Sequence, residues 1–399
     1  MKKIIYLVLL FLCSITQLYG QENSPEVKGL QFTDDIVLPA TPVKNQYRTS
    51  TCWSFSAISF LESEMLRLKK PVADLSEMFV IFHTYGEKAV KYVRMQGHNN
   101  FAGGGEFHDV VNTLKTYGIV PEEVYSGLNY GEEKHIHNEM DQVLKEEVDA
   151  VVQNPNRKIS PVWTEFLNAT LEAYLGEIPE KFDYQGKSYS PQSFAREFVG
   201  LNLDDYVEIT SYTHHPFYSS FIFEFPDNWS WGSAWNVPLN DMEAIIDYSL
   251  KKGYTVAWAA DMSEKGFMAT SKGVAVVPGR KVENMNPEER SLWEKLSDKE
   301  KDDVLYDLNK PLEELEITQE MRQIAFDNYQ TTDDHGMHII GTATDQTGKT
   351  WYKVKNSWGD SGNFKGYFYA SKAYVNYKTT CLMVHKDGIP ADIRKKLGI

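Results

Sequence analysis

Cysteine is scarce in this sequence, which has only three in 399 residues. One of them, Cys13, lies in the leading segment, so Cys52 and Cys381 are the two that concern the folded chain. A chain of this length buries enough apolar surface to be stable without cross-links. We therefore expect no disulfide, and the sequence does not belong to the small disulfide-stapled domains.

Long hydrophobic runs are missing after the first twenty residues. Two lysines near the start are followed by an apolar run, 4–13, that is too short to span a bilayer and is typical of a secretory signal. We expect residues 1–20 to be a signal peptide, the protein to be periplasmic or extracellular, and the mature chain to have no transmembrane segment. A lipoprotein signal needs a small residue where Leu12 stands, so a lipid anchor on Cys13 is the less favoured alternative.

Positive charge is in short supply, with 41 Lys and Arg against 56 Asp and Glu and a formal net charge of −15. Loss of Lys2 and Lys3 with the signal peptide makes the mature chain still more negative. A strongly acidic chain repels the phosphates of nucleic acids and of anionic lipids. We therefore expect neither as a partner.

Helical patterns dominate the beginning of the mature chain, and strand patterns dominate its end. The predicted helices cover 52–68, 75–92, 106–117 and 390–397, and the predicted strands cover 255–260, 337–342, 351–356 and 366–369. The stretch at about 130–240 combines charged helical patterns with tryptophans and prolines, and it is interpreted as a helical insertion. We predict one α+β domain over 21–399, with a helical N-terminal part and a β-rich C-terminal part that meet at a cleft.

Cys52 opens the first predicted helix, six positions after Gln46 and directly before Trp53. A cysteine in the first turn of a helix feels the positive end of the helix dipole and unpaired backbone N–H groups, which favour the nucleophilic thiolate. Taken alone, such a cysteine is more often a small buried apolar residue. The motifs elsewhere in the chain favour chemistry.

Two of these motifs lie on the C-terminal strands. The first is Asp334-His335-Gly336-Met337-His338, where strand alternation puts His335 and His338 on opposite faces. A strand does not bring both rings to one metal ion, which disfavours a metal site there. The second is Asn356-Ser357-Trp358-Gly359, at the end of the next strand.

The order Gln46, Cys52, His335, Asn356 resembles the papain superfamily of cysteine peptidases. The resemblance implies that Cys52 is the nucleophile, that His335 carries its proton and that Asn356 orients the histidine ring. It also implies that the Gln46 amide donates to the oxyanion of the tetrahedral intermediate, and that Trp358 covers the histidine–asparagine hydrogen bond from water.

Three glycines at 103–105 precede the third predicted helix. Alone they indicate a loop with unusual backbone angles, which glycine adopts most readily. In the papain-like pattern, paired glycines here let an extended substrate hydrogen-bond to the loop as an added strand. Gly104 and Gly105 match that pair by their distance from Tyr117-Gly118, and with Trp358 they are the predicted substrate-binding residues.

The spacing of the motifs indicates one branch of the superfamily. Compact papain-like enzymes place the histidine about 130–150 residues after the cysteine, whereas Cys52 and His335 lie much further apart. Segments 175–180 and 189–194 resemble the insertion of the bleomycin hydrolases and bacterial aminopeptidases C. This resemblance implies a papain-like fold with a helical insertion, aminopeptidase activity on peptides, and assembly into hexameric rings.

Three other functions remain open on sequence grounds. The segment 390–399 predicts a short helix without the further arm that closes the cleft in relatives, which favours some endopeptidase activity through an open cleft. The second is a non-catalytic peptide-binding protein of the same fold, and the third is an acyl-transferring enzyme such as a transglutaminase. The intact motifs argue against the second, and Gln46 with the Asn356 motif favours hydrolysis over the third.

No cofactor is expected. The pairs His135/His137 and His214/His215 are interpreted as surface-loop histidines rather than as metal ligands, because no third ligand has sensible spacing. His338 is expected to be a bystander to the chemistry.

Overall fold

The computed structural model describes residues 29–156, 158–280, 282, 285–309 and 312–399. The predicted signal peptide, 1–20, lies outside this part of the chain. The helices within it are α1 (Cys52–Arg67), α2 (Glu77–Arg94), α3 (Phe107–Thr116), α4 (Asn138–Val152), α5 (Trp163–Leu175), α6 (Pro191–Phe194), α7 (Leu239–Lys251), α8 (Pro287–Lys295), α9 (Asp298–Leu305), α10 (Gln319–Asp327), α11 (Lys372–Lys378) and α12 (Ala391–Leu397). The predicted helices at 52–68, 75–92, 106–117 and 390–397 are thus confirmed to within two residues at each end.

One large mixed sheet dominates the C-terminal half. The strands are β1 (Phe32–Val37), β2 (Phe182–Tyr184), β3 (Lys187–Tyr189), β4 (Tyr206–Thr210), β5 (Ser220–Ile222), β6 (Ser233–Asn236), β7 (Val256–Ala260), β8 (Phe267–Met268), β9 (Val274–Ala275), β10 (His335–Asp345), β11 (Thr350–Lys355), β12 (Tyr367–Ser371) and β13 (Thr379–His385). Eleven of them form the sheet in the order β5-β6-β4-β13-β7-β10-β11-β12-β9-β8, with β1 also paired to β10.

Helix α1 is the central helix of the molecule. Ile58, Leu61 and Met65, the predicted apolar face, are fully buried. The opposite side is buried as well, because Glu62 and Glu64 are each only 1% exposed. The helix packs against the sheet through β10 and β7 and against α2 and α3 on its other side. The start of α1 is therefore fixed against the start of β10, where the sequence places Cys52 and His335.

The predicted insertion at 130–240 is helical only in its first part. Helices α4 and α5, the β2–β3 hairpin and α6, which continues as a π-helical turn over Ala195–Val199, make up that part. From Tyr206 onward the chain returns to the main sheet, where β4 pairs with β13 and runs parallel to β6. The prediction was wrong for this second part because β4, with its valine, isoleucine and threonine, buries its side chains on the sheet.

No helix in the described ranges has the length and apolar character needed to cross a membrane.

Candidate active site

A cleft of about 500 Å³ lies between the start of α1 and the start of β10. Its lining includes six of the seven predicted site residues, namely Gln46, Cys52, Gly104, Gly105, His335 and Trp358. The seventh, Asn356, is buried directly behind His335. Residues that are far apart in the sequence therefore meet at one surface, as the motifs predict.

His335 is held by the two residues that the sequence assigns to it. Its Nε2 lies 2.8 Å from Oδ1 of Asn356, and that same oxygen accepts a hydrogen bond from the backbone N–H of Ser357. Because this oxygen is an acceptor only, Nε2 must carry the ring proton, which leaves Nδ1 unprotonated and able to accept one. The Trp358 ring stacks on the imidazole, with ring centroids 4.7 Å apart, and shields one of its faces.

Gln46 is oriented by a serine that sequence reasoning did not single out. The Ser357 hydroxyl donates to Oε1 of Gln46 at 2.6 Å, and the Gln46 amide nitrogen donates one hydrogen to the carbonyl of Thr49. An amide nitrogen carries two hydrogens, so one donor remains for a ligand in the cleft. This arrangement suits an oxyanion donor, whose value lies in being aimed before the charge develops.

The charge state of Cys52 differs from the expectation. Burial raises the pKa of the Cys52 thiol to about 12, and the backbone N–H groups of Gly336 and Trp53 only partly offset this. The helix start supplies donors, as predicted, but a helix dipole contributes only about 0.3–1 kcal/mol, whereas burial shifts a pKa by up to several units. Burial therefore opposes the thiolate that the helix start favours.

His335 is uncharged for the same reason. Burial lowers the pKa of its imidazole to about 4, against the opposing effect of the Asn356 hydrogen bond. Neutral thiol and neutral imidazole face the same cleft, and a charge on either one alone is disfavoured. Proton transfer between them creates both charges together, so each stabilises the other.

The glycines at 103–105 are required by close packing and not by unusual backbone angles. None of them has a positive φ. A Cβ on Gly104 would lie 2.0 Å from a carboxylate oxygen of Asp227, and one on Gly105 would lie 2.8 Å from the Trp53 ring. The loop is held from behind by the Lys88 ammonium, which donates to the carbonyls of Ala102 and Gly104.

Three acids to which the sequence analysis assigned no role also line the cleft. They are Asp227, Asp333 and Asp334. Asp333 and Asp334 directly precede His335, so their proximity could have been noticed from the sequence. Asp227 comes from the segment between β5 and β6, and no sequence signal connects it to the glycine loop.

The remaining histidines fall into different environments. His338 points away from the cleft as predicted, with Nδ1 2.9 Å from the Ser59 hydroxyl. His135 and His137 are not surface residues; they are 9% and 1% exposed, because their segment pairs with Arg48 beneath the loop that leads to Cys52.

The His214/His215 pair does have a third potential ligand. Glu224 carries a carboxylate that lies 2.9 Å from Nε2 of His214 and 3.6 Å from Nε2 of His215. Together they are the one group of three metal-ligand side chains among the described residues. Spacing along the sequence does not reveal this third side chain, because Glu224 comes close to the pair only through the fold.

Comparison with known proteins gives a consistent result. The sequence profile of the Peptidase C1-like family matches residues 20–278 and 298–398. Aminopeptidase C of Streptococcus thermophilus is 22% identical, covering 94% of this chain and 87% of its own. Aminopeptidase G of Lactobacillus delbrueckii subsp. lactis is 23% identical, covering 90% and 84%. The crystal structure of PepW from Lactobacillus rhamnosis HN001 superposes with a TM-score of 0.66 at 20% identity, covering 92% of this chain and 84% of that one, which shows a common fold.

Proposed function

The chain belongs to the Peptidase C1-like family, and on that premise we propose that it is a cysteine aminopeptidase that removes residues from the free N-terminus of peptides. The papain-like α+β fold and the family that the motifs predicted are confirmed. The observation that carries the proposed activity is the cleft in which Cys52 and His335 meet, with the ring of His335 bonded to Asn356. The names of the related aminopeptidases C and G support the exopeptidase assignment.

The proposed reaction proceeds through an acyl-enzyme. The thiol proton of Cys52 passes to Nδ1 of His335 while the sulfur bonds to the carbonyl carbon of the first peptide bond. The oxyanion that forms accepts hydrogen bonds from the free amide hydrogen of Gln46 and from the backbone N–H of Cys52. When the C–N bond breaks, His335 returns the proton to the leaving amine. Water, deprotonated by the same ring, then hydrolyses the thioester.

An endopeptidase is the second candidate, and one observation favours it. Helix α12 packs its Ile393 and Leu397 into the core cluster beneath the sheet, and Ile399 lies against the same cluster. None of these residues lines the cleft. Helix α12 therefore does not cover Cys52, which supports access for the internal bonds of a longer peptide.

A digest of matched peptides tests both candidates. Each peptide is offered with a free and with an acetylated N-terminus to the wild type, to Cys52→Ala and to Cys381→Ala as the matched control. We expect stepwise loss of N-terminal residues from the free peptides, full activity in Cys381→Ala and none in Cys52→Ala. Cleavage by Cys52→Ala would refute the mechanism. Equal cutting of acetylated peptides at internal bonds would replace the aminopeptidase by the endopeptidase.

Export is proposed from the signal-like segment at residues 1–20. Its two lysines and the short apolar run support secretion to the periplasm or beyond. Mass analysis of the protein recovered from the periplasmic or culture fraction should show a chain that starts near residue 21. Recovery of the full-length chain from the cytoplasm would contradict this.

Hexamer formation is proposed only by resemblance to the bleomycin hydrolase branch. Light scattering on the purified mature chain measures it directly, and a monomer at micromolar concentration would overturn it.

A further inference from the structure

The cleft contains acidic side chains that the proposed mechanism does not use. Asp227 and Asp333 both line it, together with Cys52 and His335. Neither carboxyl has a lysine, arginine or histidine within ion-pair distance among the described residues. The nearby Lys88 ammonium is occupied by two backbone carbonyls. The Lys88 charge still acts on Asp227 from a distance, but neither carboxyl has a direct ion-pair partner in the cleft where a substrate has to bind.

Asp227 is held rigidly in place. Its Oδ1 accepts a hydrogen bond of 2.9 Å from the Asn100 side chain, and its carboxylate rests on Gly104. The next residue, Asn228, is 3% exposed and hydrogen-bonds the backbone of Phe223 and Gly232, which fixes the turn that carries the aspartate. A carboxylate held in this position without a direct ion-pair partner is preorganised to bind a cation.

A buried acid lies behind Asp333. Glu106 is 2% exposed, its carboxyl lies against that of Asp333, and its Oε1 has no hydrogen-bond partner in the described part of the chain. The hydroxyl of Thr380 donates to the other side of Asp333. Burial and the neighbouring acids raise the pKa of Asp227, and they raise that of Asp333 to about 7. These carboxyl groups repel one another when they are ionised. A cation bound between them would relieve that repulsion.

The position of Asp227 and Asp333 indicates which kind of cation they would bind. Gly104, on which Asp227 rests, belongs to the loop proposed to bind the substrate backbone. The α-ammonium group of a peptide lies only two bonds, roughly 2.5 Å, from the carbonyl carbon of its first residue. An ammonium group offers three hydrogen-bond donors and no acceptor, which matches two carboxylates. Ca²⁺ takes six to eight oxygen ligands, which is more than these two carboxyl groups supply.

We propose that Asp227 and Asp333 form the subsite that binds the free α-ammonium group of the peptide substrate, and thereby select for N-terminal cleavage. This inference rests on the proposed peptidase function and names the residues that give it exopeptidase character. Neither residue takes part in bond making or breaking. Both are specificity-determining residues, so their loss changes which peptides are cut more than whether peptides are cut.

The test compares one peptide in free and N-acetylated form with the wild type, Asp227→Asn, Asp333→Asn and the control Asp183→Asn. Asp183 is an exposed acid in strand β2 and lies outside the cleft. We expect the ratio of kcat/KM for the free over the acetylated peptide to fall at least tenfold in each aspartate variant. It should stay unchanged in Asp183→Asn. Cleavage of the acetylated peptide should persist or increase, which a merely structural loss would not produce.

A second measurement needs no variant. A dipeptide amide with a free amine should slow the alkylation of Cys52 in the wild type, and its acetylated form should do so at least tenfold less well. Equal protection by both, or an unchanged ratio in both aspartate variants, overturns the subsite while leaving the peptidase standing. Failure of the wild type to cut either peptide refutes the proposed function itself.

Discussion

Ser357 is hydrogen-bonded to Gln46 and also to Asn356, so it connects the proposed oxyanion donor to the residue that aligns the histidine. Its hydroxyl donates to Oε1 of Gln46, and its backbone N–H donates to Oδ1 of Asn356. One residue thus orients both the proposed oxyanion donor and the group that aligns the histidine. Ser357 therefore has its own role in the motif Asn356-Ser357-Trp358-Gly359, and the sequence alone does not reveal that role.

We expect Ser357→Ala to lower kcat about tenfold with little change in KM, because the Gln46 amide loses the hydrogen bond that aims it. Gln46→Ala should lower kcat by about 10²–10³, as the removal of one oxyanion donor does elsewhere. The double variant should be little worse than Gln46→Ala alone, since both changes remove the same donor. Full additivity in a double-mutant cycle would contradict this coupling.

The same Ser357 variant has an internal control. The substitution keeps the backbone N–H that bonds to Asn356, so the histidine should remain aligned. The rate at which iodoacetamide alkylates Cys52 should therefore stay within about twofold of the wild type. A large loss of alkylation would mean that the variant disturbs the histidine and not the oxyanion donor.

Much of the fold could be predicted because local pattern and burial agree. The apolar residues of helix α2 and strand β7 follow the pattern that fits their buried surroundings, and the structure confirms both predictions. The second half of the insertion could not be predicted in the same way. Strand β4 is only five residues long, and its partner β13 lies far along the chain, so the pairing that makes it a strand is non-local.

The candidate active site also has residues that could be predicted from the sequence and residues that could not. Gln46, Cys52, His335 and Asn356 could be recognised because each sits in a distinctive local motif. Asp227 could not, because its role depends on a turn that brings it against Gly104 and on nothing in its own neighbourhood. The effect of burial on the Cys52 thiol could not be predicted for a related reason. A helix start is visible in a sequence, whereas the desolvation that outweighs it is a property of the folded cleft.

Alkylation should distinguish Cys52 from Cys381 and reveal the role of His335. Cys52 is partly exposed, whereas Cys381 is fully buried and its thiol has a pKa well above the usual value. Iodoacetamide should therefore label Cys52 first, as peptide mapping would show.

In His335→Ala the Cys52 thiol loses its proton acceptor, while burial still raises its pKa above the usual value. Its labelling at pH 7 should fall at least tenfold and recover only as the pH rises into the alkaline range. An unchanged pH profile would mean that the imidazole does not share the proton.

Loss of His335 should lower kcat, whereas loss of His338 should lower the stability of the fold. His335→Ala should lose several orders of magnitude in kcat, in line with the loss of other triad members. His338 is buried and hydrogen-bonded to Ser59, so His338→Ala should lower the free energy of unfolding by about 2–4 kcal/mol through the cavity it leaves. Its kcat per titrated active site should stay within about threefold. The reverse pattern would show that the register of the strand was misassigned.

Chelation should leave activity unchanged. The proposed chemistry uses a thiol, an imidazole and amide donors, and the one three-residue group of potential ligands in the described ranges, His214, His215 and Glu224, lies outside the cleft. EDTA followed by desalting should therefore preserve kcat/KM on unblocked peptides. Loss of activity that added Zn²⁺ restores would contradict a metal-free mechanism.

The last prediction concerns pH and follows from the groups around Asp333. It faces Glu106 before α3, Asp227 from the segment between β5 and β6, Asp334 beside it, and the Thr380 hydroxyl on β13. Burial raises its pKa to about 7, and burial also raises the pKa of Glu106 well above its usual range. The carboxylate that binds an ammonium group therefore becomes available as the pH rises through about 7. The peptide α-amine in turn loses its charge above about 7.7–8.0.

The measured quantity should be the ratio of kcat/KM for a free peptide over its acetylated form. Because both peptides use Cys52 and His335, the titration of those groups cancels in the ratio. The ratio should rise through about pH 7, pass a maximum, and fall near pH 8. Asp333→Asn should abolish the rise and keep the fall, since the amine still titrates. A ratio that is flat across pH 6–9 in the wild type would show that Asp333 does not recognise the charge on the substrate.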